Sequence, residues 1–342
     1  MTDVFSHPWK DGLFGDAEVA QAFGAEAELA AMIAVEAAHA RALGSEDAAR
    51  AIGAVTVDPA TLRAGMGEDG VVVPALVRGL KAEFDPALHS AVHKGLTSQD
   101  VIDTAQALML RGVNELLRAR IIALAAALAA LRKTHGANAL MGRTRMQAAL
   151  PINVADRIDT WALPLADHLT RLDQLSPRLL RLSAGGPVGV GLPEQHQAQM
   201  AEALGLSVSS KAPHAMRDSI AEYASWLSLV TGTLGKMGQD VALMAQQGVD
   251  EIALKGGGGS SAMPHKQNPV LAELLVTLAR FNAVQVSGMH QAVVHEQERS
   301  GAAWSLEWMI LPQMTQATGR ALAVALELVG RVEMIGSNAG RV

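Results

Sequence analysis

The stretch TSQDVIDTAQALMLRGVNELLRARIIALAAALAALRKTHG, residues 97 to 136, contains no proline, and its only internal glycine is Gly112. Read as one helix from Ser98 onward, it is roughly 50 Å long at 1.5 Å per residue. Four more helical runs follow it. They extend from Ile152 towards Leu182, from about Met216 to Gln247, from Pro269 to about Val294, and from near Pro312 onward. Five long helices joined by short loops describe an all-α, elongated long-helix bundle.

Composition agrees with this reading. Hydrophobic residues make up 49% of the chain but aromatics only 3%, so its apolar content is mostly Ala, Leu, Val and Met. These enter helices at little cost, except Val, while aromatic and β-branched residues build strands. Before the long run lies a small helical region. Asp16 can cap a helix through AEVAQAFGAEAELAAMIAVEAAHARAL that stops at Gly44, and shorter pieces follow. We therefore expect a helical N-terminal domain over residues 1–94 and the bundle over 95–342. Stretches such as SWLSLVTGTLGKM and AVALELVG are apolar on more than one side, so burial against further copies of the chain, a homo-oligomer, is expected.

The formal charge of −6 offers no global electrostatic argument for nucleic acid or an anionic membrane as partner. An anionic substrate would have to be met by local cations. Cysteine is absent, which excludes disulfides, thiolate metal sites and a cysteine nucleophile. His290 and His295 are five apart, on different sides of a helix, so neither a metal nor another cofactor is expected. The N-terminal stretch lacks the pattern of a signal peptide, and the longest apolar run, residues 121–131, is too short to span a bilayer. A cytoplasmic location is the expectation.

Three segments place polar groups where helices begin or end. In HKGLTSQDVIDT, Thr97 and Ser98 sit at the mouth of the longest helix, where free N–H groups and the positive dipole end favour a carboxylate; simple helix capping is the competing explanation. In THGANALMGRTRMQAALP, between two long helices, Arg143 and Arg145 flank Thr144, and His135 could transfer protons near neutral pH. Plain surface arginines fit that spacing equally well. In GGGGSSAMPHKQNP, the glycines permit close backbone approach to a ligand, and Lys266 and Asn268 add a charge and a neutral donor; a linker is the alternative. A weaker fourth segment, HEQERSGAAWSLEW, offers Arg299 as a further carboxylate clamp.

Together these segments resemble the fumarase/aspartase superfamily. GSSAMPHKQNP is similar to its signature GSSxMPxKxNP, and TSQDVIDT and GRTRMQAALP resemble its first and second common regions in the expected order. The ends of the chain and HKGLTSQDVIDTA resemble in particular the 3-carboxy-cis,cis-muconate cycloisomerases within it. That resemblance implies an intramolecular lyase acting on a tricarboxylate diene. It implies Ser260 as the catalytic serine and His135 as a second proton-handling group. His93, Thr97, Ser98, Gln99, Thr144, Arg145, Gln147, Ser261, Met263, Lys266, Asn268 and Arg299 would bind substrate. It further implies a homotetramer whose active sites are shared between subunits, with the glycine run as the hinge of a mobile lid.

Two departures stand out. Fumarases and adenylosuccinate lyases carry His after GRT and the cycloisomerases more often Trp, where this chain has Arg145; a clamp is then favoured over an acid–base residue. Relatives also continue into a small C-terminal helical domain, whereas this sequence stops at EMIGSNAGRV. An adenylosuccinate-type lyase releasing fumarate, or an inactive helical scaffold, are the competing readings.

Overall fold

The computed structural model describes residues 4–256, 258–259 and 267–336. Six helices open the chain: α1 (Asp11–Phe14), α2 (Ala17–Ala22), α3 (Ala25–Ala42), α4 (Glu46–Ala54), α5 (Pro59–Asp69) and α6 (Val73–Glu83). A 3-10 turn, Pro86–Ala91, leads into α7 (Ser98–His135). After α7 come a hairpin of β1 (Ala139–Thr144) and β2 (Gln147–Asn153), then α8 (Val154–Leu179), α9 (Glu194–Leu204) and α10 (Asp218–Met244). The remainder is β3 (Ile252–Leu254), β4 (Gly258–Gly259), β5 (Gln267–Asn268), α11 (Val270–Gln291), α12 (Gly301–Gly330) and β6 (Val332–Ile335).

Helix α7 carries the bundle because its apolar residues fall on one stripe. Leu110, Val113, Leu117, Ile121, Leu124, Leu128 and Leu131 recur every three or four positions, and all are buried. With 38 residues it is about 57 Å long. Helices α10 and α12 run alongside it in the same direction: Arg217 and Trp304 meet Asp103 near its start, and Arg120 reaches Gly319 further along. Helices α8 and α11 return the other way. All five long helices expected from the sequence are present.

The differences lie at breakpoints. The single helix expected from Asp16 to Gly44 is two, because the chain extends at Gly24 (ψ 161°) after Asp16 has capped α2 through the Val19 N–H. The fifth long helix starts at Gly301, not near Pro312. Ser300 caps it by accepting the Ala303 N–H at 3.2 Å, and Pro312 sits inside it. Trp304, Glu307, Ile310 and Leu311 are all buried just upstream, and this anchoring holds the helix through a residue that removes one backbone hydrogen bond. Two cores result. The larger lies among α7, α8, α10, α11 and α12; the smaller joins the N-terminal helices to the first turns of α7, to α9 and to Trp304, so residues beyond 94 help to build it.

Helices α10 and α11 approach closely through glycine. A Cβ on Gly238 would lie 2.5 Å from the Ala272 carbonyl oxygen, and one on Gly235 would lie 2.5 Å from the Ala279 Cβ. Gly238→Ala should therefore cost about 1–3 kcal/mol despite alanine's better helix propensity. A thermal melt showing a lowered Tm checks this; an unchanged or raised Tm contradicts the contact.

Candidate active site

At the near end of the bundle, the start of α7 is organised by one buried carboxylate. Asp100 accepts the Thr97 N–H (2.9 Å), the Gly185 and Gly186 N–H groups (2.9 and 2.8 Å) and His214 Nε2 (2.8 Å). This draws the 183–191 loop against the helix mouth. At the first helical positions, the N–H groups of Ser98 and Gln99 have no intrahelical acceptor and carry the positive end of the helix dipole. Arg299 lies across this mouth. Its Nε donates to Gln99 Oε1 at 2.7 Å and its Nη2 to Thr97 Oγ1 at 3.1 Å. Gln99 is fully buried; its amide nitrogen donates to Asp103 and to the His214 carbonyl, while its oxygen accepts from Arg299.

Beneath the mouth, Arg217 is buried between Asp103 and Glu307, at 2.7 and 2.6 Å. Burial works against the guanidinium's charge, but the two carboxylates outweigh it and hold its pKa above the usual range. Burial raises the Asp103 pKa, with Arg217 opposing. His93 belongs to the same end: its Nδ1 is 2.6 Å from Glu36 Oε1. His93, Thr97, Ser98, Gln99 and Arg299 thus share one end of the bundle.

His135, Thr144, Arg145, Gln147 and Asn268 lie at the other end, beyond the length of α7. The segment expected as a loop between helices is an antiparallel hairpin with Thr144 paired to Gln147. Its two-residue turn is Arg145 and Met146, with φ of 51° and 67°. Such turns are normally built from Asn and Gly, so no hairpin signal stands at these positions, and two side chains are held in a left-handed conformation at a cost. Arg143 anchors the hairpin through Glu251 (2.5 Å), and Arg145 is exposed, at a cavity lined also by Arg157, Lys236 and Asp240 of α8 and α10. Asn268 pairs with Gly258 at the base of the glycine-rich segment. Ser260, Ser261, Met263 and Lys266 lie outside the described residues.

A family model described as Lyase matches residues 17–288. The chain belongs to the fumarase/aspartase superfamily. Within the superfamily, the 3-carboxy-cis,cis-muconate cycloisomerase of Pseudomonas aeruginosa is 34% identical over 98% of this chain and 77% of its own length. The solved structure of the Pseudomonas putida 3-carboxy-cis,cis-muconate lactonizing enzyme superposes with a TM-score of 0.90 at 32% identity, covering 96% of this chain and 77% of that one. The nitrosuccinate lyase of Streptomyces davaonensis is 33% identical over 88% of this chain and 69% of its own length.

Glu36, His39, His196, His214 and Arg217, which lie outside the motifs, also support the near end. One signal was available: Glu36 and His39, three apart, interrupt an otherwise alanine-rich helix face. Among the described residues, no three His, Asp or Glu side chains are grouped to hold a metal ion.

Two buried histidines tie this end and the bundle to pH. Burial lowers His39 to about 4, with Glu36 opposing and His196 assisting, and burial lowers His168 to about 4, with Arg171 assisting. A base whose folded pKa is depressed contributes stability that is complete above its unfolded value, near 6.5, and lost as pH falls towards 4. Melting temperature should fall by about 5 °C or more between pH 6.5 and pH 4, and His168→Gln should flatten part of that slope. A Tm flat across this range would contradict the assignment of neutral buried rings.

Proposed function

We propose that the chain is an intramolecular lyase, a cycloisomerase that interconverts 3-carboxy-cis,cis-muconate and 4-carboxymuconolactone. The observation that carries this is similarity to proteins of that name over 98% of this chain and 77% of the relative's length, joined to a helix mouth with an oriented guanidinium suited to a polycarboxylate. In the lactonising direction, one carboxylate oxygen forms a bond to a carbon of the conjugated diene while the π electrons move towards a neighbouring carboxylate. The resulting aci-carboxylate takes up one proton at carbon, so the tricarboxylate trianion plus one proton gives the lactone dianion, and the two are isomers when compared at equal protonation. Arg299, Thr97 and the N–H groups at the start of α7 supply the electrostatic hold. Ser260 is the proton-transfer group proposed from the signature, with Lys266, Asn268, Ser261 and Met263 around it, and Thr144, Arg145, Gln147 and His135 on the facing segment.

Within one chain the α7 mouth and the hairpin do not meet. The α7 mouth and the hairpin are separated by about 57 Å of continuous helix, whereas the substrate is a single small acid. A homotetramer in which one subunit offers its near end to the far ends of others answers this. Exposed apolar residues support it: Leu163 is 71% exposed, Val284 73%, Met309 66%, Met146 71% and Leu150 72%. Helix α11 is long and apolar enough to cross a membrane, yet only 28% of its most apolar window is buried within one chain; packing against further copies accounts for that composition.

The assay is loss of the muconate diene absorbance without release of fumarate; fumarate production from a succinyl adduct instead would establish an eliminating lyase. Ser260→Ala should nearly abolish turnover with little change in Tm. Mixing it with an equally inactive Arg299→Ala protein under exchange conditions should rebuild about a quarter of the sites, since each site then draws its two parts from different chains. No recovery would refute shared sites. Arg145→Ala should raise KM about tenfold with kcat nearly unchanged; an unchanged KM would remove the clamp.

A further inference from the structure

Glu36 is a carboxylate with no solvent exposure, and among the described residues no lysine or arginine pairs with it. Both of its oxygens are used by one residue. Oε1 lies 2.6 Å from His93 Nδ1, and Oε2 accepts the His93 backbone N–H at 3.0 Å. His93 is also a non-glycine residue at φ 58°, a conformation that persists only where its surroundings enforce it. The two-point grip on ring and backbone supplies that enforcement.

We propose that Glu36 is a positioning residue for His93, fixing the ring with its proton on Nδ1 so that Nε2 is presented bare to the substrate side of the site. Glu36 is acceptor-only when ionised, so Nδ1 must carry the proton. His93 Nε2 has no hydrogen-bond partner among the described residues, and the side chain is 19% exposed, two residues before Gly95 and four before Thr97. A second pair secures the same backbone. His39, one turn after Glu36 on α3, has Nε2 at 3.0 Å from the Lys94 carbonyl, so that nitrogen donates; its Nδ1 then accepts from His196 Nε2 at 2.9 Å. Glu36 and His39 therefore hold residues 93 and 94 from a single buried helix face. The inference deepens the proposed lactonisation and rests on it for what Nε2 meets, whereas the tautomer follows from these contacts alone.

Glu36→Gln tests it with almost no change of shape. Glutamine offers one acceptor and one donor; with its oxygen on the fixed backbone N–H, its amide group faces Nδ1 and drives the ring to the Nε2–H form. In protein carrying 15N-histidine, with the resonance assigned by its loss in His93→Gln, the wild type should show the Nδ1–H tautomer and Glu36→Gln the Nε2–H tautomer. With 3-carboxy-cis,cis-muconate as substrate, Glu36→Gln should lower kcat by at least about tenfold with KM within about twofold, and Glu36→Asp, which keeps an acceptor-only group, should regain part of that loss. An Nε2–H tautomer in the wild type overturns the proposal, as does Glu36→Asp performing no better than Glu36→Gln. Should Glu36→Gln fail to fold, the wild-type tautomer still decides. A wild type that shows the Nδ1–H tautomer but does not turn over the muconate would leave Glu36 in place and refute the assigned reaction.

Discussion

Four donors converge on the carboxylate of Asp100, and much of the near end depends on that convergence. A buried carboxylate is tolerated only when its lone pairs are taken up. Here they are taken up by the helix cap at Thr97, by two adjacent glycine N–H groups and by His214, which belong to three separate parts of the chain. The loop at 183–191, the segment before α10 and the mouth of α7 are thereby fixed relative to one another. Close approach of that loop needs glycine: a Cβ on Gly186, itself at φ 70°, would fall 2.7 Å from the Gly95 carbonyl oxygen just before α7. The buried Asp103–Arg217–Glu307 cluster, one turn deeper, ties the same helix start to α10 and α12.

The bundle was legible because its signal is long. Five long runs rich in Ala, Leu and other helix formers leave few other architectures open, and the helix ends expected near Leu182, Gln247 and Val294 lie within a few residues of those observed. Breakpoints were less legible. Gly24 interrupts a helix that its neighbours favour, while Pro312 fails to interrupt one that long-range burial secures; in both places tertiary context outweighs local preference. The hairpin at Arg145–Met146 was invisible for a related reason, since its turn uses residues that pay to be there.

The site was legible where side chains act directly and obscure where they act on other side chains. Thr97 and Ser98 stood out as polar groups at a helix mouth, His93 came through the family resemblance, and Arg299 came from a weaker segment. Glu36, His39, Asp103 and Arg217 lie between 36 and 217 in sequence and meet their partners only through folding, so neither the Glu36–His39 spacing nor the place of Asp103 in TSQDVIDT says what they will hold. Gln99 shows the distinction within one segment: it reads as a ligand-facing residue of TSQD, yet it is buried and spends its amide on Asp103, His214 and Arg299.

The left-handed turn of the hairpin bears on how such a protein can be improved. A search for stabilising substitutions would be drawn to Arg145 and Met146, because asparagine or glycine there would relieve backbone strain on an exposed tip and increase the thermodynamic margin. On the proposed reading, the same exchange would strip the tip of its guanidinium. Robustness and activity therefore pull in opposite directions at these two positions, and a thermostable variant selected without a turnover assay would be expected to lose its grip on substrate first at the hairpin.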